Sequence, residues 1–84
     1  MLPTSNKEIQ KVGFNTKVLI EVNRQEQLWE IVKPEDVNVA EGKISYEAPL
    51  VRLILGLQEG ESGQGFIHDR KVSIIVKEIE ILEK

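Results

Sequence analysis

Few residues of this chain could carry out chemistry, and their spacing does not assemble a reactive centre. His68 is the only histidine, and Asp69 and Arg70 follow it directly, which suggests a general base or a metal ligand. One nitrogen ligand is too few for a transition-metal site, and a polar segment between two strand-like segments is typical of a surface turn. The sequence therefore predicts that His68 is a surface residue, with no catalytic residue, no metal and no cofactor.

Two acidic pairs and a glycine-rich segment are the remaining candidates for ion binding. Glu35-Asp36 and Glu59-Gly60-Glu61 lack the ligand spacing of a calcium loop, so solvated loop acids are the preferred interpretation. The run from Gly60 to Gly65 resembles a phosphate loop in glycine count only, because strand-like Phe66-Ile67 follows it and not a helix. Gly60, Gly63 and Gly65 are therefore predicted to set turn conformations.

The composition limits the classes of protein to which the chain can belong. Its 84 residues, 40% hydrophobic and 30% charged, suit one small globular domain. The net charge of −3, without a basic stripe, argues against direct binding of nucleic acid. No segment reads as a signal peptide or a membrane span, and the absence of cysteine fits a cytoplasmic location. We expect a flexible lead-in at 1–8 and one domain at 9–84.

The apolar pattern predicts a mostly antiparallel sheet. Alternating residues predict strands at 17–22 and 28–32, separated by a polar break at 23–26 and ended by Lys33-Pro34. A polar loop leads to a short extended segment at 44–46, and short strand material ends at Phe66-Ile67. The strongest strand signal covers 71–82. Its apolar residues change parity near Lys77-Glu78, which predicts a β-bulge or a bend that swaps the faces of the strand.

A single helix is predicted, from Pro49 to Leu55. Proline suits the first turn of a helix, Leu50, Leu53 and Ile54 share one face, and Gly56 is a natural end. One helix covering a mostly antiparallel sheet defines an α+β domain. Gly13 is available for a positive φ in the turn before the first strand. Trp29 and Phe66 are predicted core residues, whereas Tyr46 fits either the core or a docking surface.

In order and spacing, five short pieces of the sequence resemble the C-terminal domain of the Gre-type transcript cleavage factors. They are Val12-Gly13-Phe14-Asn15, Trp29-Glu30-Ile31-Val32, Gly42-Lys43-Ile44-Ser45 followed by Pro49, Leu53-Ile54-Leu55-Gly56, and Gly60-Glu61. The end of the helix is also similar to the nucleoside-diphosphate-kinase regulators, which share this domain. The resemblance implies an FKBP-like fold, with a twisted sheet covered by one short helix.

The resemblance also implies a partner and a contact segment. The family docks on RNA polymerase at the rim of its secondary channel, through the residues that lead into the helix. By position, the contact residues here are Ser45, Tyr46, Glu47, Pro49 and Leu50. The family's serine before the proline is Ala48 in this chain, and its upstream Ala-Asp-Pro corresponds to Val37-Asn38-Val39. Both departures concern the identity of the partner more than the fold.

By the resemblance, Gre factors cleave transcripts with a long N-terminal coiled coil that has an acidic tip, and about ten residues without heptads precede the domain in this sequence. The sequence fits either a natural relative that only docks or one domain of a longer protein. The expected function is therefore a non-enzymatic module that binds RNA polymerase and modulates elongation, without cleavage activity of its own. Two alternatives stay open. One is an FKBP-type peptidyl-prolyl isomerase, which the scarcity of aromatic residues disfavours. The other is a small structural or oligomerising β-domain, and the oligomeric state is left open.

Overall fold

The computed structural model describes residues 10–82, which form a five-stranded sheet and one short α-helix. The elements in chain order are β1 (Thr16–Val22), β2 (Gln25–Val32), β3 (Lys43–Ser45), α1 (Pro49–Arg52), β4 (Ser62–Ile67) and β5 (Arg70–Ile81). Two 3-10 turns, Pro34–Asp36 and Val39–Glu41, shape the loop between β2 and β3. The α+β prediction is confirmed. The predicted lead-in at 1–8 lies outside the described residues. Among residues 10–82, no helix is long and apolar enough to cross a membrane.

The sheet has the strand order β3-β2-β1-β5-β4. Three of its neighbouring pairs are antiparallel, and the pair of β2 with the short β3 is parallel. The 12-residue β5 pairs with β4 through its first half and with β1 through most of its length. β5 is therefore the strand that connects the edge strand β4 to the rest of the sheet.

Of the two alternatives predicted for β5, a bulge or a bend, the structure has the bulge. Leu19 pairs with Glu78 while Ile20 pairs with Val76, so Lys77 is the extra residue. The Ile79 backbone N–H beyond the bulge donates a 2.8 Å hydrogen bond to the Glu59 carboxylate. The bulge explains why the buried residues of β5 change parity between Val76 and Ile79.

Two tight hairpin turns connect the antiparallel strands. Asn23 and Arg24 have φ of 48° and 76°, and His68 and Asp69 have φ of 53° and 66°. Two central residues with positive φ are the requirement of a type I′ turn, which matches the twist of the flanking strands. His68 is exposed at the tip of its turn, as predicted. The positive φ expected at Gly13 was wrong, because Asn15, with φ of 69°, takes that conformation in the turn before β1.

The core lies between one face of the sheet and the segment that follows β3. Val51 and Ile54 are 2% and 1% exposed, and they pack against buried residues of the central strands, Val18, Ile20, Ile31, Ile74 and Val76. The predicted helix was too long, because α1 ends at Arg52 and turns follow as far as Gly56, which has φ of 85°. The buried face is consequently centred on Val51 and Ile54, with Leu50 and Leu53 partly buried beside them.

Two further predictions were wrong, and the position of Leu53 explains both. Gly63 and Gly65 lie inside β4 and not in turns. A Cβ atom at Gly63 would lie 2.5 Å from the Leu53 carbonyl oxygen, and one at Gly65 would collide with the Leu53 side chain. Because these glycines take up the core-facing positions of β4, Phe66 lies on the opposite face, where it is 71% exposed. Trp29, in contrast, packs against the core as expected and is partly buried.

Candidate partner-docking surface

The five predicted contact residues lie in one turn between β3 and α1. Ser45 ends β3, while Pro49 and Leu50 begin α1. The Tyr46 backbone N–H donates to the Val32 carbonyl at 3.1 Å, so the turn is attached to the end of β2. The structure thus brings together the residues that the resemblance singles out, although their role as contacts stays a prediction.

The Ser45 side chain holds this turn from within. Its Oγ accepts a 2.8 Å hydrogen bond from the Glu47 backbone N–H, and its carbonyl oxygen accepts one of 3.0 Å from the Ala48 N–H. A serine that bonds to the backbone two residues ahead is a common way to stabilise a tight turn. Ser45 therefore positions the neighbouring side chains.

Glu47 and Pro49 are the most accessible of the five residues. Both are exposed, whereas Tyr46 and Leu50 are partly buried and pack against the core. None of the ion pairs found within residues 10–82 involves Glu47. Its carboxylate can therefore receive a cationic group from a partner, and Pro49 fixes the backbone beside it.

Phe14 extends this surface and was not among the predicted contact residues. Its ring meets that of Tyr46 edge to face, with the ring centroids 6.1 Å apart and the planes at 86°. Phe14 is 53% exposed, so the pair presents an aromatic surface beside the turn. The two residues are far apart in the sequence, and no local periodicity could have indicated their contact.

Ala48 is the N-cap of α1, and it has no side-chain oxygen to cap the helix. Its backbone is extended, with φ of −64° and ψ of 143°, as an N-cap residue requires. We expect Ala48→Ser to raise the free energy of unfolding by about 0.5–1 kcal/mol, because the hydroxyl can accept a hydrogen bond from the first turn. Urea denaturation of both proteins measures the change. Ala40→Ser, at an exposed position, should leave the stability within about 0.5 kcal/mol, and an equal gain there would contradict the capping argument.

A groove of about 680 Å³ lies beside Leu50. Its apolar lining comes from Val22, Leu50, Ile67 and Val72, and three exposed residues, His68, Arg70 and Lys71, contribute positive or titratable groups. No aromatic side chain lines it. Since an apolar, aromatic-lined pocket is what a prolyl-peptide isomerase would need, this groove does not favour that alternative.

The acidic pairs of the sequence have structural roles or face solvent. The Glu59 carboxylate accepts a hydrogen bond from the Ile79 N–H beyond the bulge of β5, and the Glu61 carboxylate accepts a 2.8 Å hydrogen bond from the Gln58 N–H. Glu35 and Asp36 are exposed in a 3-10 turn. Within residues 10–82, no group of three or more potential metal-ligating side chains is present. The described acids therefore offer no assembled metal centre.

Solved structures of other proteins have the same fold. The structure of Gfh1 from Thermus aquaticus matches with a TM-score of 0.74 at 21% sequence identity, over 92% of this chain and 52% of that one. The GreA transcription elongation factor of Borreliella burgdorferi is 34% identical over 82 residues, which are 95% of this chain and 9% of that protein. GreA of Mycoplasmoides gallisepticum is 39% identical over 75 residues, covering 84% of this chain and 45% of that protein.

The family model described as the C-terminal domain of the transcription elongation factors GreA and GreB matches residues 6–81. The chain therefore belongs to the GreA/GreB family, and it corresponds to the C-terminal domain of those proteins. It spans less than half the length of these two GreA relatives. The resemblance inferred from the five sequence pieces is confirmed.

Proposed function

We propose that this domain docks on RNA polymerase and modulates transcription elongation. Membership of the GreA/GreB family supports a role in transcription. The observation that carries the proposal is the hydrogen-bonded turn between β3 and α1, which presents exposed Glu47 and Pro49 next to the partly buried Leu50. A turn fixed by its own hydrogen bonds loses little entropy on binding, which favours its use as a contact.

We assign each contact residue a role in docking at the rim of the secondary channel. Glu47 would pair with a basic group of the polymerase, and Leu50 would provide an apolar anchor at the mouth of its groove. Tyr46 and Phe14 would add aromatic contact area, since aromatic residues are enriched at interfaces. Pro49 and Ser45 would hold the backbone of the segment. The module would act in the cytoplasm, where bacterial transcription takes place.

We further propose that the domain does not cleave transcripts by itself and acts by occupying its docking site. The resemblance assigns cleavage to an acidic coiled-coil tip, and the described residues provide no comparable group of acids. Such a module would compete with cleavage factors for the polymerase. Adding the domain to a cleavage reaction should slow it, and a release of cleaved RNA by the domain alone would contradict this proposal.

A charge reversal tests the assigned surface. We expect Glu47→Lys to weaken binding to purified RNA polymerase by about tenfold, because a repulsive contact replaces an attractive one. A titration of fluorescently labelled domain with polymerase measures the dissociation constant. The fold should be unchanged, because the Glu47 side chain is exposed. The hydrogen bond to Ser45 Oγ comes from the Glu47 backbone N–H, which lysine retains.

Glu78→Lys is the matched control, because it reverses an exposed charge on β5, away from the turn. It should retain wild-type affinity. Equal losses in both variants would indicate a general charge effect and would contradict the assigned surface. Binding of Glu47→Lys at full strength would rule out Glu47 as a contact.

A further inference from the structure

β4 is an open edge of the sheet. It is the last strand in the order β3-β2-β1-β5-β4 and covers six residues, Ser-Gly-Gln-Gly-Phe-Ile, without a charge or a proline. Natural edge strands are usually blocked by lysine, proline, a bulge or a covering loop. The opposite edge, β3, has only three residues and contacts the two 3-10 turns before it. The outer edge of β2 is also unpaired from Gln25 to Trp29, because β3 pairs only with the last three residues of β2, but this edge carries the charge of Glu26. β4 is therefore the longest edge of the described sheet without a charge or a proline.

The backbone groups that face outward from β4 follow from the hairpin geometry. Ile67 and Arg70 close a two-residue turn, so they form a hydrogen-bonded pair, and such pairs recur at every second residue. The 2.9 Å bond from the Val76 N–H to the Glu61 carbonyl, at the far end, has the same parity. The N–H and C=O groups of Ser62, Gln64 and Phe66 must therefore point away from β5. No bond from them to a turn or loop occurs in residues 10–82.

The charges at the two ends of β4 have opposite signs. Glu59 and Glu61 precede the strand, whereas Arg70 and Lys71 outnumber the single acid Asp69 in the hairpin that follows it, so the net charges of the two ends have opposite signs. All five residues are exposed. If two copies pair antiparallel through β4, the acidic end of each strand comes beside the basic end of the other. An edge with this arrangement is complementary to itself, as a two-fold interface requires.

We propose that β4 pairs antiparallel with β4 of a second copy of the chain. Outward-facing residues must oppose one another, and centring the pair on Gln64 places Ser62 opposite Phe66 of the other copy. The contact would join two sheets into a continuous ten-stranded one. Because β3 is short and the unpaired part of β2 carries Glu26, the opposite side of the sheet does not propagate pairing, and assembly stops at two copies. One strand pair buries less area than a standard interface, so the dimer is weak and depends on concentration.

Amide hydrogen exchange followed by NMR tests this pairing at single residues. On raising the protein concentration, exchange of the Gln64 and Phe66 amides should slow roughly tenfold when nine molecules in ten are paired. The amides of Gly63 and Gly65 are internal controls, because their hydrogen bonds to β5 exist in the monomer. Unchanged exchange at Gln64 and Phe66 up to millimolar protein would overturn the proposal.

Variants at the two-fold axis give a second, independent measurement. In Gln64→Lys, two ammonium groups would face each other, so sedimentation velocity should show monomers at concentrations where the wild type associates. Gln25→Lys makes the same change at an exposed position of β2 and should still associate. An equimolar mixture of Gln64→Lys and Gln64→Glu should regain dimers. Dimers formed by Gln64→Lys alone would overturn the proposal. Slower amide exchange along β4 that appears only after polymerase is added would also overturn it, because the polymerase and not a second copy would then cover the edge.

Discussion

Gly63→Ala should lower the free energy of unfolding by about 3 kcal/mol or more, which is a large part of the stability of so small a domain. The added Cβ would lie 2.5 Å from the Leu53 carbonyl oxygen, a distance that real Cβ atoms do not reach. The atom in the way belongs to the backbone, so it cannot move aside as the end of a flexible side chain could. Relief therefore requires the segment after α1 to move away from β4, which would disturb the packing of Ile54.

Gly13→Ala is the matched control for this change. A Cβ atom added at Gly13 would meet no atom within 4 Å, and the residue does not have a positive φ. Alanine there should alter the free energy of unfolding by less than about 0.5 kcal/mol. Urea or guanidinium unfolding of both variants, followed by circular dichroism, provides the comparison. Equal stabilities would show that the segment after α1 can retreat from β4 without cost.

Ile74→Ala should destabilise the domain by about 3–4 kcal/mol, enough to leave much of the protein unfolded at 37 °C. Ile74 lies in the central part of β5 and has no exposed surface. Its truncation would leave a cavity between the sheet and the Val51–Ile54 segment, which the tightly packed β4 glycines cannot fill. Thermal unfolding and the denaturant midpoint measure the loss.

The adjacent Ile75 provides a control with the same chemistry on the other face of the sheet. It is 39% exposed and pairs with Glu21 and Ser62, away from the core. Ile75→Ala should cost less than about 1 kcal/mol, since only part of the side chain is buried. A loss as large as that of Ile74→Ala would mean that a partner molecule covers this face.

Strand patterns could be predicted from the sequence wherever side chains alternate. The change of parity in β5 can be recognised in the sequence because the buried residues on both sides of the bulge are large and apolar. These residues are Val72, Ile74, Val76 and Ile79. The sequence of β4 has no such alternation of large apolar residues. Its core-facing positions are glycines, and their reason is the approach of Leu53, which is distant in sequence. Because this contact cannot be recognised in the sequence, the glycines were predicted to form turns and Phe66 was predicted to lie in the core.

The candidate surface could be predicted only in part, for a related reason. Ser45 to Leu50 are consecutive, so any resemblance that locates one of them locates the others. Which of them is exposed depends on how the turn attaches to Val32 at the end of β2, a long-range hydrogen bond. The contact of Phe14 with Tyr46 likewise joins distant parts of the chain, and only the folded sheet brings them together.

The position of β5 between β1 and β4 also determines when a nascent chain can fold. Thr16 in β1 pairs with Ile81 in β5, at nearly opposite ends of the described residues. A lone hairpin of β1 and β2 is marginal in water, and closing so long a loop costs entropy before any contact compensates for it. While β5 is still inside the ribosome exit tunnel, β1 lacks its second neighbour and β4 has no strand with which to pair. The domain should therefore fold in one late step, after β5 has emerged, and a ribosome stalled before β5 should carry an unfolded, protease-sensitive chain.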